Sequence, residues 1–329
     1  MKKILLIFTT LLSMVIFNGC SSYDDNSDFT KDGLGSYSFT PLNIEPDEIL
    51  HVAYHGDEIR IPYRVEGLAP EIVSEFGWLV FVDGLLQPTR LETMTGDIFR
   101  KSEYLHVFDL KYREYLEFYV VFKPVSGKLG TDVSFMTGAL LQPSFLPNDV
   151  SNPIFEPFHN LFAPVADVIT IYHEILDSNV GYSDVVLVDI SDNLLEQEMA
   201  FLASNINVFE HLLEFPRIEI IPYDQPLQIN YEDLMLAENG HVRLQLLVYG
   251  GREVTNRITF FVNHEPVKAN GVDFFEIQMK EGKMAVVDVV LQLEELNHFN
   301  SLYAIMMTTG DEFHVQGMFK SPSLLLVNE

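Results

Sequence analysis

The sequence is poor in cysteine, tryptophan and positive charge. It contains one cysteine and one tryptophan in 329 residues, and 20 lysine and arginine residues against 48 aspartate and glutamate residues. A single cysteine cannot form a disulfide within the chain, so stability has to come from the burial of apolar surface. The formal net charge of −28 repels phosphate backbones, which excludes nucleic acid as an expected partner.

Short motifs of enzymes and cofactor sites are missing as well. The chain has no Gly-x-Ser-x-Gly sequence, no Walker loop, no Gly-x-Gly-x-x-Gly sequence and no Cys-x-x-Cys pair. Acidic pairs such as Asp57-Glu58 and Glu294-Glu295 could serve glycoside hydrolysis, but they stand at turns and ends, where solvated charge is expected anyway. We therefore expect a protein that is not an enzyme, without catalytic residues, metal or cofactor.

Two histidine patterns could suggest a site. His51 and His55 have a spacing that binds zinc on a helix, but they fall in a predicted strand. Four residues of strand separate them by about 13 Å, which is too far to share one ion. His173 and Glu174 would point to opposite faces of a strand and cannot pair locally. We expect ordinary surface or structural residues in both places.

The N-terminus is organised like an export signal. Lys2 and Lys3 precede an apolar run from Ile4 to Phe17, which is short for a membrane span and the right size for a signal peptide. The run ends at Asn18-Gly19-Cys20, and Cys20 is the only cysteine. No later run is apolar for long enough to span a membrane.

These N-terminal residues resemble the signal peptides of bacterial lipoproteins, in which a small residue such as Gly19 precedes a lipidated cysteine. The resemblance implies that residues 1–19 are removed and that the sulfur of Cys20 forms a thioether to a diacylglyceryl group, with acyl chains such as palmitate. About 0.8 kcal/mol per buried methylene makes two or three chains a permanent membrane anchor. The acidic residues after Cys20 look like the export tag of surface lipoproteins in one phylum of Gram-negative bacteria, which implies exposure at the cell surface.

One pattern occurs twice in the rest of the chain. Arg60, Val65 and Gly67 of an alternating segment recur 183 residues later as Arg243, Val248 and Gly250. Further pairs stand at nearly the same interval: 118–119 with 302–303, 127 with 310, and 142–146 with 321–325. An interval that is kept over several segments predicts a duplicated β-domain.

The predicted fold is mainly β, with two tandem immunoglobulin-like β-sandwich domains. Short aliphatic and aromatic runs alternate with turns roughly every 8–15 residues, and Trp78 suits a core. The predicted order is a signal peptide at 1–19, a flexible acidic tether at 20–36, sandwiches at 37–150 and 216–329, and a connecting region at 151–215.

The connecting region is predicted to contain a short helix that begins at Asn193 and packs on or between the domains. A capping pattern supports this start, and Leu195, Met199 and Leu202 would form its apolar stripe. In the second sandwich, residues 286–290 are predicted to form a deeply buried strand.

Two loops are the best candidates for binding, because they follow matched strands and carry apolar residues in a turn. They contain Leu85, Leu86 and Gln87 in the first copy and His264, Glu265 and Val267 in the second. The same features fit two well-packed hairpin turns, and both interpretations stay open.

The sequence therefore predicts a lipid-anchored, exported binding protein of the bacterial cell envelope. It would contact the membrane through its N-terminal lipid and engage another envelope or extracellular protein. A carbohydrate-binding surface lipoprotein is the alternative, and an envelope hydrolase is a third hypothesis.

Overall fold

A computed structural model describes residues 37–42, 50–67, 75–95, 103–110, 113–155, 159–162, 166–175, 180–181, 185–202, 206–223, 234–309 and 317–328. The predicted signal peptide, the predicted lipidation site Cys20 and the predicted tether lie outside these residues. Among the helices of the described segments, none is both long and apolar enough to cross a membrane.

The first sandwich consists of two sheets. Its smaller sheet has the order β1 (Tyr37–Pro41), β3 (Ile59–Gly67), β8 (Tyr115–Phe122) and β6 (Thr89–Thr93). Its larger sheet has the order β2 (His51–Tyr54), β11 (Ala166–Ile171), β9 (Asp132–Leu141), β4 (Glu75–Val82) and β5 (Leu85–Leu86), with β10 (Leu161–Phe162) on β9 and β7 (His106–Asp109) on β4. Only β2 and β11 pair in parallel among these described strands.

The second sandwich repeats this plan. Its larger sheet has the order β12 (Val180–Gly181), β19 (Phe274–Gln278), β17 (Thr255–Val262), β21 (Phe299–Thr308), β23 (Leu324–Asn328) and β15 (Leu234–Ala237), with β18 (Glu265–Val267) on β17 and β22 (Met318–Lys320) on β21. Its smaller sheet has the order β13 (Val186–Asp189), β20 (Lys283–Gln292), β16 (His241–Tyr249) and β14 (Arg217–Pro222).

The larger sheets are apolar on both faces because each packs against its own smaller sheet on one side and against the other larger sheet on the other. In β4, Trp78 and Val80 point into the core of the first sandwich, while Leu79 and Phe81 point the other way. These outward residues join Tyr303 and its neighbours of the second sandwich in one apolar cluster, which we call the junction. Four sheets are thus stacked in the order small, large, large, small. Trp78 is 1% exposed, as expected for a core residue.

Strand pairing confirms the duplication. Arg60 of β3 faces Val121 of β8, and Arg243 of β16 faces Val290 of β20 in the same way. The equivalent strands are β1 and β14, β2 and β15, β3 and β16, β4 and β17, β5 and β18, β7 and β19, β8 and β20, β9 and β21, β10 and β22, and β11 and β23. The tandem sandwich architecture is therefore as predicted.

Two of the further sequence matches are wrong. Phe118 lies on β8 of a smaller sheet, whereas Tyr303 lies on β21 of a larger sheet, whose counterpart is β9. Residues 321–323 lead into β23, whose counterpart is β11, and so do not correspond to residues 142–144. The interval is 183 residues between Arg60 and Arg243 but already 180 between Asp83 and Asn263. It shortens further after β17, where the described residues of the second sandwich have a single bridge, Ala269 to Leu291, in place of β6. The match of Gly127 with Gly310 involves a residue outside the described segments.

The connecting region is not a separate piece between the sandwiches. Its strands β10 and β11 complete the first sandwich, and β12 and β13 join the second. β11 pairs with β2, more than a hundred residues earlier, and local sequence patterns carry no information about such a partner. The predicted boundary at residue 150 therefore cuts through the first pair of sheets.

Two helices cover the smaller sheet of the second sandwich. The predicted helix is present as α1 (Asp192–Phe201), but its N-cap is Ser191, whose Oγ accepts a bond from the Leu194 amide. The predicted stripe is partly wrong, since Met199 is 49% exposed and Leu194 is buried. The second helix, α2 (Val208–Glu214), was not predicted because it is short and buries only Val208 and Leu212. Both helices pack on Leu247, Tyr249 and Met284.

The strand predicted at residues 286–290 is present within β20, but it is not buried throughout. Val287 and Val289 are buried, whereas Asp288 is exposed and Val286 and Val290 are half-buried. The strand alternates because one of its faces belongs to the core and the other to the outer side of the sheet.

Candidate interaction sites

The two predicted binding loops are equivalent hairpins. Asp83 and Gly84 in one, and Asn263 and His264 in the other, all have positive φ between 49° and 77°. Two such residues form the turn whose twist matches the flanking strands. Both predicted loops are therefore hairpin turns.

The first hairpin is buried in the junction. Leu85 is 5% exposed, Leu86 is 7% exposed and Gln87 is fully buried. The Gln87 amide donates to the Leu85 carbonyl at 2.7 Å and accepts a bond from the Val125 amide at 3.0 Å. These side chains pack within the protein and leave almost no surface for an external partner.

The second hairpin is more accessible. Glu265 is exposed and Val267 is half-buried, whereas His264 is turned into the junction. Binding by Glu265 and Val267 stays a prediction. The local sequence could not show that these turns lie between the sandwiches, because that depends on how two distant sheets pack.

Arg257 joins the sandwiches at one side of the junction. This residue of β17 donates from Nη1 to the carbonyl and the carboxylate of Asp83, at 2.7 and 2.8 Å, and to the Ser126 hydroxyl at 2.8 Å. Its Nε lies 3.3 Å from a carboxylate oxygen of Glu276. A guanidinium of the second sandwich therefore binds three oxygens of the first.

His264 joins the sandwiches at another place. Its Nε2 lies 2.6 Å from the Pro143 carbonyl, and its Nδ1 lies 3.0 Å from the Tyr303 hydroxyl. A carbonyl oxygen can only accept, so Nε2 carries the hydrogen and Nδ1 accepts from the hydroxyl. The neutral imidazole thus satisfies both partners.

His159 repeats this arrangement beside it. Its Nε2 donates to the Phe145 carbonyl at 2.7 Å, and its Nδ1 accepts from the Ser323 hydroxyl at 3.3 Å. The centres of the His159 and His264 rings are 5.0 Å apart. Neither pattern was visible in the sequence, where the two histidines are more than a hundred residues apart.

Burial makes positive charge on this group of side chains unfavourable. It lowers the pKa of His159 to about 3, with the neighbouring His264 and Lys320 adding to the effect, and lowers the pKa of His264 to about 4. Lys320 donates to Ser323 at 2.8 Å and lies 4.5 Å from the centre of the Tyr303 ring, and burial lowers its pKa to about 7. We call His159, His264, Tyr303, Lys320 and Ser323 the histidine cluster.

A second buried group attaches α1 to its sheet. Glu198 accepts from the Tyr249 hydroxyl at 2.7 Å and from Arg217 at 3.2 Å. Glu219 is buried nearby, and burial raises its pKa to about 8, with the charge of Glu198 acting in the same direction. The two carboxyl groups lie beneath the helices, away from solvent.

The outer face of the first smaller sheet carries arginine and tyrosine side chains that are exposed or half-buried. We define the arginine–tyrosine face as Arg60, Arg64, Arg90, Tyr115 and Tyr119. The Arg60 guanidinium lies 4.1 Å from the centre of the Tyr119 ring, and that of Arg64 lies 4.8 Å from the Tyr115 ring. Tyr115 is 57% exposed.

Cross-strand ion pairs hold this face in place. Each of its guanidinium groups meets a carboxylate: Arg64 pairs with Glu117 on the adjacent strand, and Arg60 pairs with Glu92 two strands away. Arg90 pairs with Glu92 on its own strand and with Glu58 next to β3. The bond to Arg90 lowers the pKa of the Glu58 carboxyl.

The equivalent face of the second sandwich differs in a simple way. Leu247 and Val286 are paired there as Arg64 and Glu117 are paired in the first sandwich. The apolar face is covered by α1 and α2, whereas the polar face is exposed. In the second sandwich, helices thus pack on the smaller sheet, whereas the smaller sheet of the first sandwich presents charged and aromatic side chains.

The histidines singled out in the sequence do not form a metal site. His51, His55 and His173 are exposed, and the His55 ring stacks on Tyr172 at 5.1 Å. In the described residues no three His, Cys, Asp or Glu side chains are grouped closely enough to bind an ion.

Comparisons with known proteins find similarity only among solved structures. No family model matches the chain, and no curated protein matches it. The CsuC–CsuE chaperone–tip adhesion subunit complex of Acinetobacter baumannii is 10% identical, over 87% of this chain and 98% of that chain, with a TM-score of 0.20. The C-terminal domain of the Streptococcus pyogenes antigen I/II-family protein AspA is 7% identical, over 90% and 100%, with a TM-score of 0.22. The PapD-like domain 7 of human CEP192 is 12% identical, over 48% and 98%, with a TM-score of 0.22. These values are too low to support any inference about function, and the sandwich architecture is assigned from the sheets themselves.

Proposed function

We propose that this protein is an exported, lipid-anchored binding protein of the bacterial cell envelope, and that the arginine–tyrosine face is its binding surface. The lipid anchor is inferred from Gly19-Cys20 at the end of the apolar leader. The binding role is inferred from one observation: two ring and guanidinium pairs stand side by side on one sheet, while in the other sandwich helices cover the positions equivalent to Arg64 and Glu117 and leave a single such pair.

The junction supports this role because it makes the two sandwiches one body. An apolar cluster, the Arg257 contacts and the histidine cluster all connect the larger sheets. The arginine–tyrosine face belongs to an outermost sheet of the stack and points away from the junction. A rigid body on the predicted tether would present such a face to partners outside the membrane.

Arginine and tyrosine are also the residue types that contribute most at binding surfaces. Both offer flat side chains with hydrogen-bonding groups, and both are enriched among the residues that dominate binding energy. Ion pairs within the face fix the side chains in advance, which reduces the entropy lost on binding.

Capture from intact cells tests this proposal. We would crosslink cells that carry a tagged full-length copy and identify the bound proteins and polysaccharides. The double substitution Arg64→Ala with Tyr115→Ala is expected to abolish capture. The matched control replaces Arg243 and Tyr223, which form the same stacked pair at 4.1 Å on the second sandwich, and should leave capture unchanged. Equal capture by both variants, or no capture by the unmodified protein, would contradict the proposed function.

A further inference from the structure

We infer that the arginine–tyrosine face binds a neutral polysaccharide. This inference rests on the proposed binding function and names the class of ligand for the same surface. It follows from the charge balance, the burial of Val121 between two arginines and the arrangement of the rings.

The charges of the face cancel one another. Its three arginines are bound by three glutamates, so each guanidinium already has a carboxylate partner. An acidic ligand would have to displace these carboxylates, and a cationic ligand would have to displace the guanidinium groups. A face without a net field of one sign does not attract charged ligands over a distance, and a neutral ligand leaves the pairs intact.

The centre of the face is not apolar. Val121 lies between Arg60 and Arg90 in the strand register and is only 2% exposed. The cores of protein–protein interfaces are enriched in arginine and aromatic residues but depleted of glutamate. A protein partner would therefore have to desolvate the three glutamates that are paired with the arginines of this face.

Sugar hydroxyls fit the groups that are exposed here. A hydroxyl both donates and accepts, so it can bond to the guanidinium donors and to the carboxylate acceptors without a change in their pairing. The C–H groups on one side of a pyranose ring pack against flat side chains such as tyrosine and arginine. The face offers both kinds of contact side by side.

The two rings are also placed in a line. Tyr115 and Tyr119 lie on the same face of β8, four residues and about 13 Å apart along the strand. An extended polymer running along β8 would meet both rings in turn, whereas a monosaccharide would reach only one. We therefore expect longer chains to bind more tightly than short oligosaccharides.

Affinity electrophoresis of the detergent-solubilised full-length protein tests the inference. Native gels would contain one neutral polysaccharide each, namely β-glucan, glycogen, α-mannan, galactomannan or xylan, with alginate as the anionic control. We expect at least one neutral polymer to retard the protein and alginate not to do so. Retardation by no neutral polymer, or by alginate alone, would overturn the inference.

Variants connect the retardation to the face. Tyr115→Ala with Tyr119→Ala should weaken binding at least tenfold, and the exposed single change Tyr115→Ser should weaken it without a risk to the fold. Tyr223→Ala is the control and should bind as the unmodified protein does. Unchanged binding in the Tyr115 variants would place the sugar elsewhere and overturn the inference. Capture of a protein that depends on Arg64 and Tyr115, with no retardation by any polysaccharide, would leave the binding function standing and remove only the ligand class.

Discussion

Arg257 is one of the links between the two sandwiches and pairs with a buried carboxylate. Its side chain is 14% exposed, and that of its partner Asp83 is 9% exposed. Such a pair contributes little compared with an apolar replacement, but the loss of one partner leaves the other charge buried and alone.

We therefore predict that Arg257→Ala lowers the free energy of unfolding by about 3–5 kcal/mol. Arg257→Met combined with Asp83→Asn should cost much less, because neither variant side chain is charged. Urea denaturation of the two variants measures the difference. A loss below about 1 kcal/mol in the single variant would show that the ion pair does not hold the junction.

The histidine cluster predicts a dependence of stability on pH. The pKa of His159 is about 3 and that of His264 about 4 in the folded protein, both below the usual 6.5. Between these values and 6.5 the unfolded chain binds more protons than the folded one, so stability falls as the pH falls. Above pH 6.5 this contribution is fully present.

The expected result is a steeper loss of stability from pH 7 to pH 4 in the unmodified protein than in the double variant His159→Gln with His264→Gln. A glutamine amide can donate to a carbonyl and accept from a hydroxyl, but it does not titrate. Urea denaturation at several pH values provides the comparison, in which the carboxylates common to both proteins cancel. Parallel curves would show that the imidazoles do not control acid stability.

At the residue scale, the sequence showed the position of the turns but not their environment. The matched hairpins at residues 83–84 and 263–264 could be located from turn residues after two similar strands. The burial of Leu85 and Gln87 could not, because it is caused by a sheet far away in the sequence.

Among the secondary-structure elements, α1 is attached to its sheet through the buried Glu198, and Glu219 of β14 is a second buried carboxyl group nearby. Burial raises the pKa of Glu219 to about 8, well above its usual 4.5. From pH 4.5 to pH 8 the folded protein holds a proton that the unfolded chain releases, so this residue lowers stability as the pH rises.

Glu219→Gln should therefore stabilise the protein increasingly as the pH rises from 5 to 8.5. The substitution keeps the shape of the side chain and replaces its titratable carboxyl group with a neutral amide. Denaturation curves at pH 5 and pH 8.5 measure the gain of the variant over the unmodified protein. A gain that does not grow with pH would show that Glu219 does not hold an excess proton.

The elements also show where sequence patterns succeed. β3, β8 and β9 could be predicted because alternation and aromatic content are local properties. The parallel pairing of β2 with β11 could not, because both strands are short and their partner is set by the packing of the whole sheet. The interval of the duplication shortens further after β17 for a related reason, since an edge strand present in one sandwich is reduced to a bridge in the other.

For the molecule as a whole, the membrane anchor is a separate prediction from the fold. Cys20→Ala should abolish labelling with radioactive palmitate and release the protein from the membrane fraction, because the acyl chains supply the membrane affinity. Fractionation of cells that express the variant measures this. Ser21→Ala is the matched control, and it should be labelled and sedimented as the unmodified protein is. A labelled, sedimented Cys20 variant would contradict the lipid anchor.

Four stacked sheets give the molecule two outer faces of unequal character. One is covered by helices, and the other presents Tyr115 and the arginines around it. The proposed function requires that the arginine–tyrosine face binds a ligand.

Photocrosslinking from single positions in intact cells tests that claim most directly. A benzophenone side chain at position 115 inserts into C–H bonds of proteins and sugars alike, and the same group at position 223 reports on the surface beside Arg243 of the other sandwich. We expect a defined adduct from position 115 and none from position 223. Equal adducts from both positions, or none from position 115, would contradict the proposed function.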